Sequence, residues 1–272
     1  LFDPLEGVKD LKNGIVQFIG NPETRIKEDY LRILRYIRFF LNYSKQKHKL
    51  KVKKIIKQNI SGVSKLSKER LIDELKKIVS SNGFINICDD EFCKEILILI
   101  FPQLKNINML KKLKKNFKDD ILKKDFIFLL SLLIIDDTDN SQFFLYKFNL
   151  SNEAKGKINF LKKIYDEFDD KDALSKKNLH KIFYYQGKSF LLDALDFYLL
   201  KSNKKNNKLI KLKKHFENLD KPKFPVKAKF IMEKYKMKES KELGEKLKYL
   251  ENLWVENNFN ISEKEVENTF LI

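Results

Sequence analysis

Glycine and proline are scarce, at eight and five residues in a chain of 272. That scarcity excludes a turn-rich β architecture and favours helices joined by polar corners. Cysteine is nearly absent, with only Cys88 and Cys93. They form no Cys-x-x-Cys pair and have no histidine close by in sequence. Neither a zinc site nor a disulfide framework is expected, and a reduced cytosolic protein is. No apolar run reaches the roughly 18 uncharged residues of a membrane-spanning helix. The ten-residue run from Phe126 to Ile135 reads as a buried helix. No secretory signal opens the sequence. The histidines are His48, His180 and His215, none followed by Asp, so no His-Asp phosphohydrolase motif is present. Each reads as a surface residue rather than a ligand.

Basic charge is abundant. Lys and Arg number 56 against 38 acidic residues, a net charge of +18. That balance suits a polyanionic partner and fast, salt-sensitive association. An A/T-rich coding bias also enriches lysine, so the charge is supporting information only. The length is enough for one large or two small domains with real cores.

The most informative stretch is Glu28 to Phe39. At about 100° per residue, Tyr30, Ile33, Leu34, Ile37 and Leu41 fall within an arc of about 100°. Arg38, Arg35, Glu28, Arg32 and Asp29 cover the opposite half. The pattern predicts one helix to about Asn42, with Glu28 and Asp29 in its first turn, where negative charge suits the helix dipole. Asp29 and Arg32 would then be i,i+3 neighbours. Such a pair can read the edge of a planar base, Asp accepting and Arg donating. The same arrangement also describes a solvated face with intrahelical ion pairs.

The flanks add three ordered motifs. Asp3-Pro4, Gly7 and Asp10-Leu11 come first. Gly20-Asn21-Pro22 and Arg25 then lead into the Glu28 stretch, and Ser67, Glu69-Arg70 and Glu74-Leu75 follow. As DPxxGxxDL, GNPxxRxxEDxLRxxRxxRF and SxERxxxEL, they resemble the bacterial class II tRNA nucleotidyltransferase (CCA-adding enzyme) and poly(A) polymerase family. Beyond Leu75 the match is looser. The resemblance implies an all-α chain with an elongated neck, body and tail and a short N-terminal β remnant of an α/β catalytic head. The implied divisions are 1–22 for the end of the head and its junction, 23–84 for the neck with its nucleotide-template and RNA-binding helices, 85–220 for the helical body and 221–272 for the helical tail, which would contact tRNA. Asp29 and Arg32 would form the template for the incoming CTP or ATP, Arg35 and Arg38 would contact the nucleotide, and Glu28, Arg25, Arg70 and Glu69 would support them. Arg70 either braces the template helix or pairs with Glu74 at i,i+4. The chain begins inside a motif, so it is expected to lack the head, to contain no catalytic residue and no metal ligand, and to be inactive alone. Mg2+ would be bound by that head. The implied function is CCA addition to the tRNA 3′ acceptor end in the cytoplasm, with no membrane partner. Two alternatives stay open: a poly(A) polymerase of the same family, and a non-catalytic helical RNA-binding protein. Oligomeric state is not implied.

The rest of the sequence supplies local expectations. Ile15 to Ile19 is a β-type run between Gly14 and Gly20 that needs strand partners from outside this sequence. Asp3 and Asp10 serve either turns or function. Lys47 to Ile60 reads as an amphipathic helix with Leu50, Val52, Ile55 and Ile56 inward. Ser67 reads as the N-cap of a helix with Leu71, Ile72, Leu75 and Ile78 inward. Ile96–Ile100 and Leu122–Ile135 are the most apolar helical segments. Asp136 to Asn140 reads as a solvated turn, although Asp137-x-Asp139 has the spacing of a metal pair. Tyr184, Tyr185, Phe190, Phe197 and Tyr198 are either core or an RNA-stacking set. Lys201 to Lys214 reads as an exposed charge run. The tail predicts a helix over Lys227–Tyr235 and another from Leu243 towards Phe259, with Leu243, Leu247, Leu250, Leu253 and Trp254 on one stripe. Ala228 and Ser240 stand where the family's closing turn has glycines, which puts a tight backbone approach to RNA there in doubt.

Overall fold

The computed structural model describes residues 3–116, 123–167, 174–202 and 206–270. The described residues are helical throughout and contain no strand. They divide into two compact units, Leu1–Lys162 and Lys163–Ile272. The nucleotide-binding candidates all lie in the first.

The first unit opens with α1 (Gly7–Asn13). The Asp3 carboxylate caps it, accepting from the backbone N–H of Gly7 at 2.7 Å and of Val8 at 2.8 Å. Asp10 accepts from the Gln17 amide at 3.0 Å. Both acids therefore serve local structure. The run after Gly14 is not a strand. It has no ladder partner among the described residues, and without one an extended backbone leaves its N–H and C=O groups to other partners. It lies instead against the helix that follows: Phe18 stacks on Tyr36 at 5.3 Å, and Lys45 N–H donates to the Gly14 carbonyl at 3.0 Å.

The expected single helix from Glu28 to Asn42 is two helices, α2 (Pro22–Glu28) and α3 (Leu31–Tyr43). Asn21 caps α2, accepting from Glu23 and Thr24, and Pro22 occupies a first-turn position where a missing N–H costs nothing. Asp29 then turns extended, with φ −154° and ψ 105°. Its carboxylate accepts from Leu31 N–H at 3.1 Å and its carbonyl from Arg32 N–H at 3.1 Å, which restarts the helix. A short acidic side chain competes for backbone donors in this way, and helical periodicity alone does not register the competition. The break is packed as well as capped. The Tyr30 ring lies where a Cβ on Gly62 would stand. Gly62→Ala is therefore expected to cost about 1–3 kcal/mol by overpacking, read as a lower urea midpoint with an unchanged slope.

Helix α3 buries Ile33, Leu34, Tyr36, Ile37, Phe40 and Leu41. Tyr36 and Phe40 widen the expected stripe, and Tyr30 is only half-buried. Helix α4 (Leu50–Asn59) buries Val52, Ile55 and Ile56, but Leu50 is 82% exposed at its N-terminus. Helix α5 (Lys68–Val79) is capped by the Ser67 hydroxyl and packs on α3 through Leu71, Leu75, Ile78 and Val79. Helix α6 (Glu91–Ile100) is capped by Asp90. Phe126–Ile134 is a helix buried at nearly every position. Leu122, placed in that apolar segment by sequence, lies outside the described residues. Asp136 closes a turn by accepting from Thr138 N–H at 3.0 Å and from its hydroxyl at 2.6 Å.

In the second unit the expected charge run carries the helix Asn207–Asn218, which buries Leu209 and Phe216. Residues 203–205 of that run lie outside the description. The tail has the two expected helices, Ala228–Tyr235 and Lys241–Glu256, and a third, Glu263–Phe270. Ile231, Leu243, Leu250, Val266 and Phe270 form its core. The aromatics near residue 184 are structural. Tyr184 donates to Glu251 at 2.6 Å, Tyr185 to Asn252 at 2.5 Å, and Phe197 is fully buried.

Candidate nucleotide-binding site

The break between α2 and α3 collects the predicted site residues into a charged cluster. Arg32 reaches back along α2. Its Nη1 donates to the Arg25 carbonyl at 2.8 Å and to Glu28 Oε2 at 2.7 Å. The Arg25 guanidinium donates to the same Glu28 oxygen at 2.5 Å. Glu28 is thus a clamp between two guanidiniums. Among the described residues, Nε and Nη2 of Arg32 have no protein partner.

Asp29 is held from the other side. Arg70 of α5 places one Nη2 between its two carboxylate oxygens, at 2.9 and 3.1 Å. Arg70 therefore braces the break and does not pair with Glu74. Glu69 stays in the first turn of α5, where its own backbone N–H and the Ser67 hydroxyl hold its carboxyl below the usual glutamate range. The helix break also changes the geometry expected from sequence: Asp29 and Arg32 are not i,i+3 neighbours on one helix, because Asp29 precedes α3 in extended backbone. A carboxylate offers about four lone-pair sites. Asp29 uses them for Leu31 and Arg70 and keeps an acceptor on Oδ2.

Arg35 and Arg38 separate. Arg35 is exposed and makes no hydrogen bond or ion pair among the described residues. Arg38 turns inward instead. Its Nε donates to Glu74 Oε1 at 2.5 Å, with side-chain exposures of 22% for Arg38 and 3% for Glu74. Its guanidinium also lies over the Phe39 ring at 4.5 Å. The sequence assigned Arg38 to nucleotide contact alone, and its ion pair with Glu74 came into view only when α5 packed on α3.

No family model matches the chain. The mouse mitochondrial CCA tRNA nucleotidyltransferase 1 is 29% identical over 98% of this chain and 60% of its own length. The CCA-adding enzyme of Staphylococcus haemolyticus is 30% identical over 72% of this chain and 46% of its own length. The chain is similar to CCA-adding enzymes over nearly its whole length. It spans at most about three-fifths of these two relatives. The Bacillus stearothermophilus CCA-adding enzyme, solved in complex with CTP, shares the fold with a TM-score of 0.63 at 19% identity, over 97% of this chain and 66% of that one.

The likeness to CCA-adding enzymes raises the question of Mg2+, which the site's carboxylates do not suit. Asp29 is committed to Arg70, Glu28 to Arg25 and Arg32, and Glu74 to Arg38. Mg2+ prefers a set of oxygens in octahedral geometry, with several waters. Cations already neutralise these three acids, so they offer Mg2+ no set of free oxygens.

The structure corrects two readings of the histidines. His48 is 7% exposed at its side chain and His180 is buried between Phe216 and Phe259, whereas His215 is exposed. Cys93, without a histidine nearby in sequence, has the His48 ring nitrogen 3.6 Å from its sulfur. No helix among the described residues is long and apolar enough to cross a membrane.

Sequence reasoning also missed an exposed aromatic pair. Phe143 and Tyr146, 65% and 91% exposed, line a groove with Lys68, Lys105 and Lys147. The sequence signal was available: two aromatics three residues apart in a helix, with lysine next to the second.

Proposed function

We propose that this chain is the nucleotide-selecting and RNA-binding part of an enzyme that adds CCA to tRNA 3′ ends from CTP and ATP. The observation that carries the reading is the paired presentation of Asp29 and Arg32 at one braced helix break. Ionised Asp only accepts hydrogen bonds and Arg only donates them. Cytosine and adenine each present an exocyclic amine donor beside a ring-nitrogen acceptor, and they match that pair. Uracil and guanine present a carbonyl and a ring N–H at the same places, and they oppose it. The clamp of Arg25 and Glu28 on Arg32, and of Arg70 on Asp29, fixes both heads before a base arrives, which reduces the ordering cost of binding. Exposed Arg35 is available to a phosphate.

In this reading the phosphoryl chemistry and its Mg2+ belong to a catalytic head. The exposed groove of Leu5, Leu11, Ile19, Phe39 and Tyr43 supports the presence of a covering domain beside the site. The location is cytoplasmic, where tRNA and both nucleotides meet.

The deciding experiment incorporates labelled CTP or ATP into tRNA ending before its CCA, with Mg2+ present. The full reading frame is assayed beside this 272-residue chain. Two C and one A from the full frame, with none from this chain, are expected. Long A tails would replace the reading with poly(A) synthesis. RNA binding without any incorporation would replace it with a non-catalytic module.

Phe143 and Tyr146 with their lysines are assigned to the RNA. Base–aromatic stacking is worth roughly 1–3 kcal/mol per base. Tyr146→Ala is thus expected to weaken tRNA binding about tenfold in a filter-binding assay. Its high exposure predicts no change in thermal midpoint.

A further inference from the structure

The fold brings three metal-ligating side chains from separate parts of the sequence to one point. His48 lies in the loop between α3 and α4, Asp90 caps α6, and Cys93 sits in the first turn of α6. His48 Nε2 is 2.9 and 3.2 Å from the two Asp90 oxygens and 3.6 Å from Cys93 Sγ. One ligand atom from each residue lies within 4.8 Å of the others. We propose that His48 Nε2, Cys93 Sγ and the Asp90 carboxylate form a site for one zinc-class divalent cation.

The spacing fits the ion. Tetrahedral zinc with Zn–N near 2.05 Å and Zn–S near 2.3 Å holds its nitrogen and sulfur ligands about 3.6 Å apart. With a carboxylate oxygen near 2.0 Å, the nitrogen–oxygen edge is about 3.3 Å. The separations of 3.6 and 3.2 Å lie close to these two edges, and the sulfur–oxygen edge, within 4.8 Å here, would close to about 3.5 Å on the ion. In the metal-free protein the Asp90 carboxylate is the hydrogen-bond partner of both the His48 ring and the Cys93 thiol, so all three donors already face one point. The donors also fit: thiolate, imidazole and carboxylate select zinc over magnesium or calcium, and one thiolate with one carboxylate balances the charge of a divalent ion.

The surroundings supply what a metal-bound imidazole needs. Tyr36 Oη lies 2.8 Å from His48 Nδ1, so the second ring nitrogen has a partner that fixes its orientation. Phe40 stacks on the ring at 3.5 Å and Phe92 meets its edge at 4.8 Å. Cys93 N–H donates to Asp90 Oδ1 at 2.9 Å and holds the carboxylate in place. Cys93 is fully buried. With three protein ligands a water would complete the tetrahedron, and the ion would tie the loop before α4 to α6 behind the helix carrying Arg32.

Proton accounting closes simply. The Asp90 carboxylate requires a proton on Nε2, and in the neutral ring Nδ1 then accepts from the Tyr36 hydroxyl. On binding, the imidazole proton moves to Nδ1 and is donated to Tyr36 Oη. The Cys93 thiol loses its proton to solvent, so one proton is released per cation.

The test is cobalt(II) titration of the chelator-treated chain, followed by zinc displacement. The expected result is a 1:1 complex with a thiolate-to-cobalt charge-transfer band and strong tetrahedral visible absorption, both erased by zinc. Zinc alone should raise the thermal midpoint. Cys93→Ala, a small side chain at a buried helical position, should stay helical and lose the charge-transfer band. His48→Gln should lose the tetrahedral absorption. Failure of the folded wild-type chain to take up cobalt would overturn the proposal and leave a hydrogen-bonded Tyr36–His48–Asp90 network. A charge-transfer band that survives in Cys93→Ala would overturn it as well.

Discussion

Arg38→Ala is expected to destabilise the chain by about 3 kcal/mol, the low end of the range for removing one partner of a buried ion pair. Glu74 is almost fully covered, and its charge is neutralised chiefly by the Arg38 Nε, with Lys77 more distant at 3.9 Å and largely exposed. Removing the guanidinium leaves a carboxylate that must stay charged in the α3–α5 interface or take up a proton there. Arg38 is itself partly exposed, which is why the low end applies. Urea denaturation reads the effect directly. Arg38→Met with Glu74→Leu is expected to recover most of the loss, since apolar residues of similar volume replace a buried pair at little cost. Arg35→Ala, on the exposed side, should stay within about 0.5 kcal/mol of the parent. If Arg38→Ala kept full stability and lost nucleotide affinity, its ion pair would be incidental and it would be a nucleotide ligand.

Arg32→Ala in the full reading frame is expected to abolish nucleotide selection while leaving the fold nearly intact. Its ion pair with Glu28 is partly exposed, and such pairs contribute about 1 kcal/mol or less. Arg32 also lies off the buried stripe of α3. A bidentate contact to a base edge discriminates by roughly 1–3 kcal/mol, or about fivefold to 150-fold. The ratio of kcat/KM for CTP and ATP over UTP and GTP should collapse by that factor. Circular dichroism and the thermal midpoint should stay close to those of the parent. A large drop in midpoint would make Arg32 a structural clamp on α2 and count against the template assignment.

How much of this was legible in the sequence depends on the range of the interaction. Local chemistry read well. Asn21, Ser67 and Asp90 are caps whose partners lie two or three residues away, and Ser67 was identified as one from its place before the apolar stripe. The inward faces of α3, α4 and α5 followed from 3.6-residue periodicity. Leu50 escaped because a residue at a helix terminus has no neighbouring turn to cover it. The helix break at Asp29 was hidden because residues on both sides keep helical periodicity, and one carboxylate competing for two N–H groups leaves no periodic trace.

Residue types and their spacing carry the helical character of the chain, the place of Arg32 and Asp29 off its core, and the family it resembles. The tertiary structure decided which charges are spent and which are free. Arg70 goes to Asp29 across 41 residues, Arg38 to Glu74 across 36, and His48 to Asp90 across 42. Ion pairing and metal ligation act over a few ångströms of space. Only packing α5 and α6 against α3 brings such distant side chains within that reach, so no spacing along the chain encodes their partners.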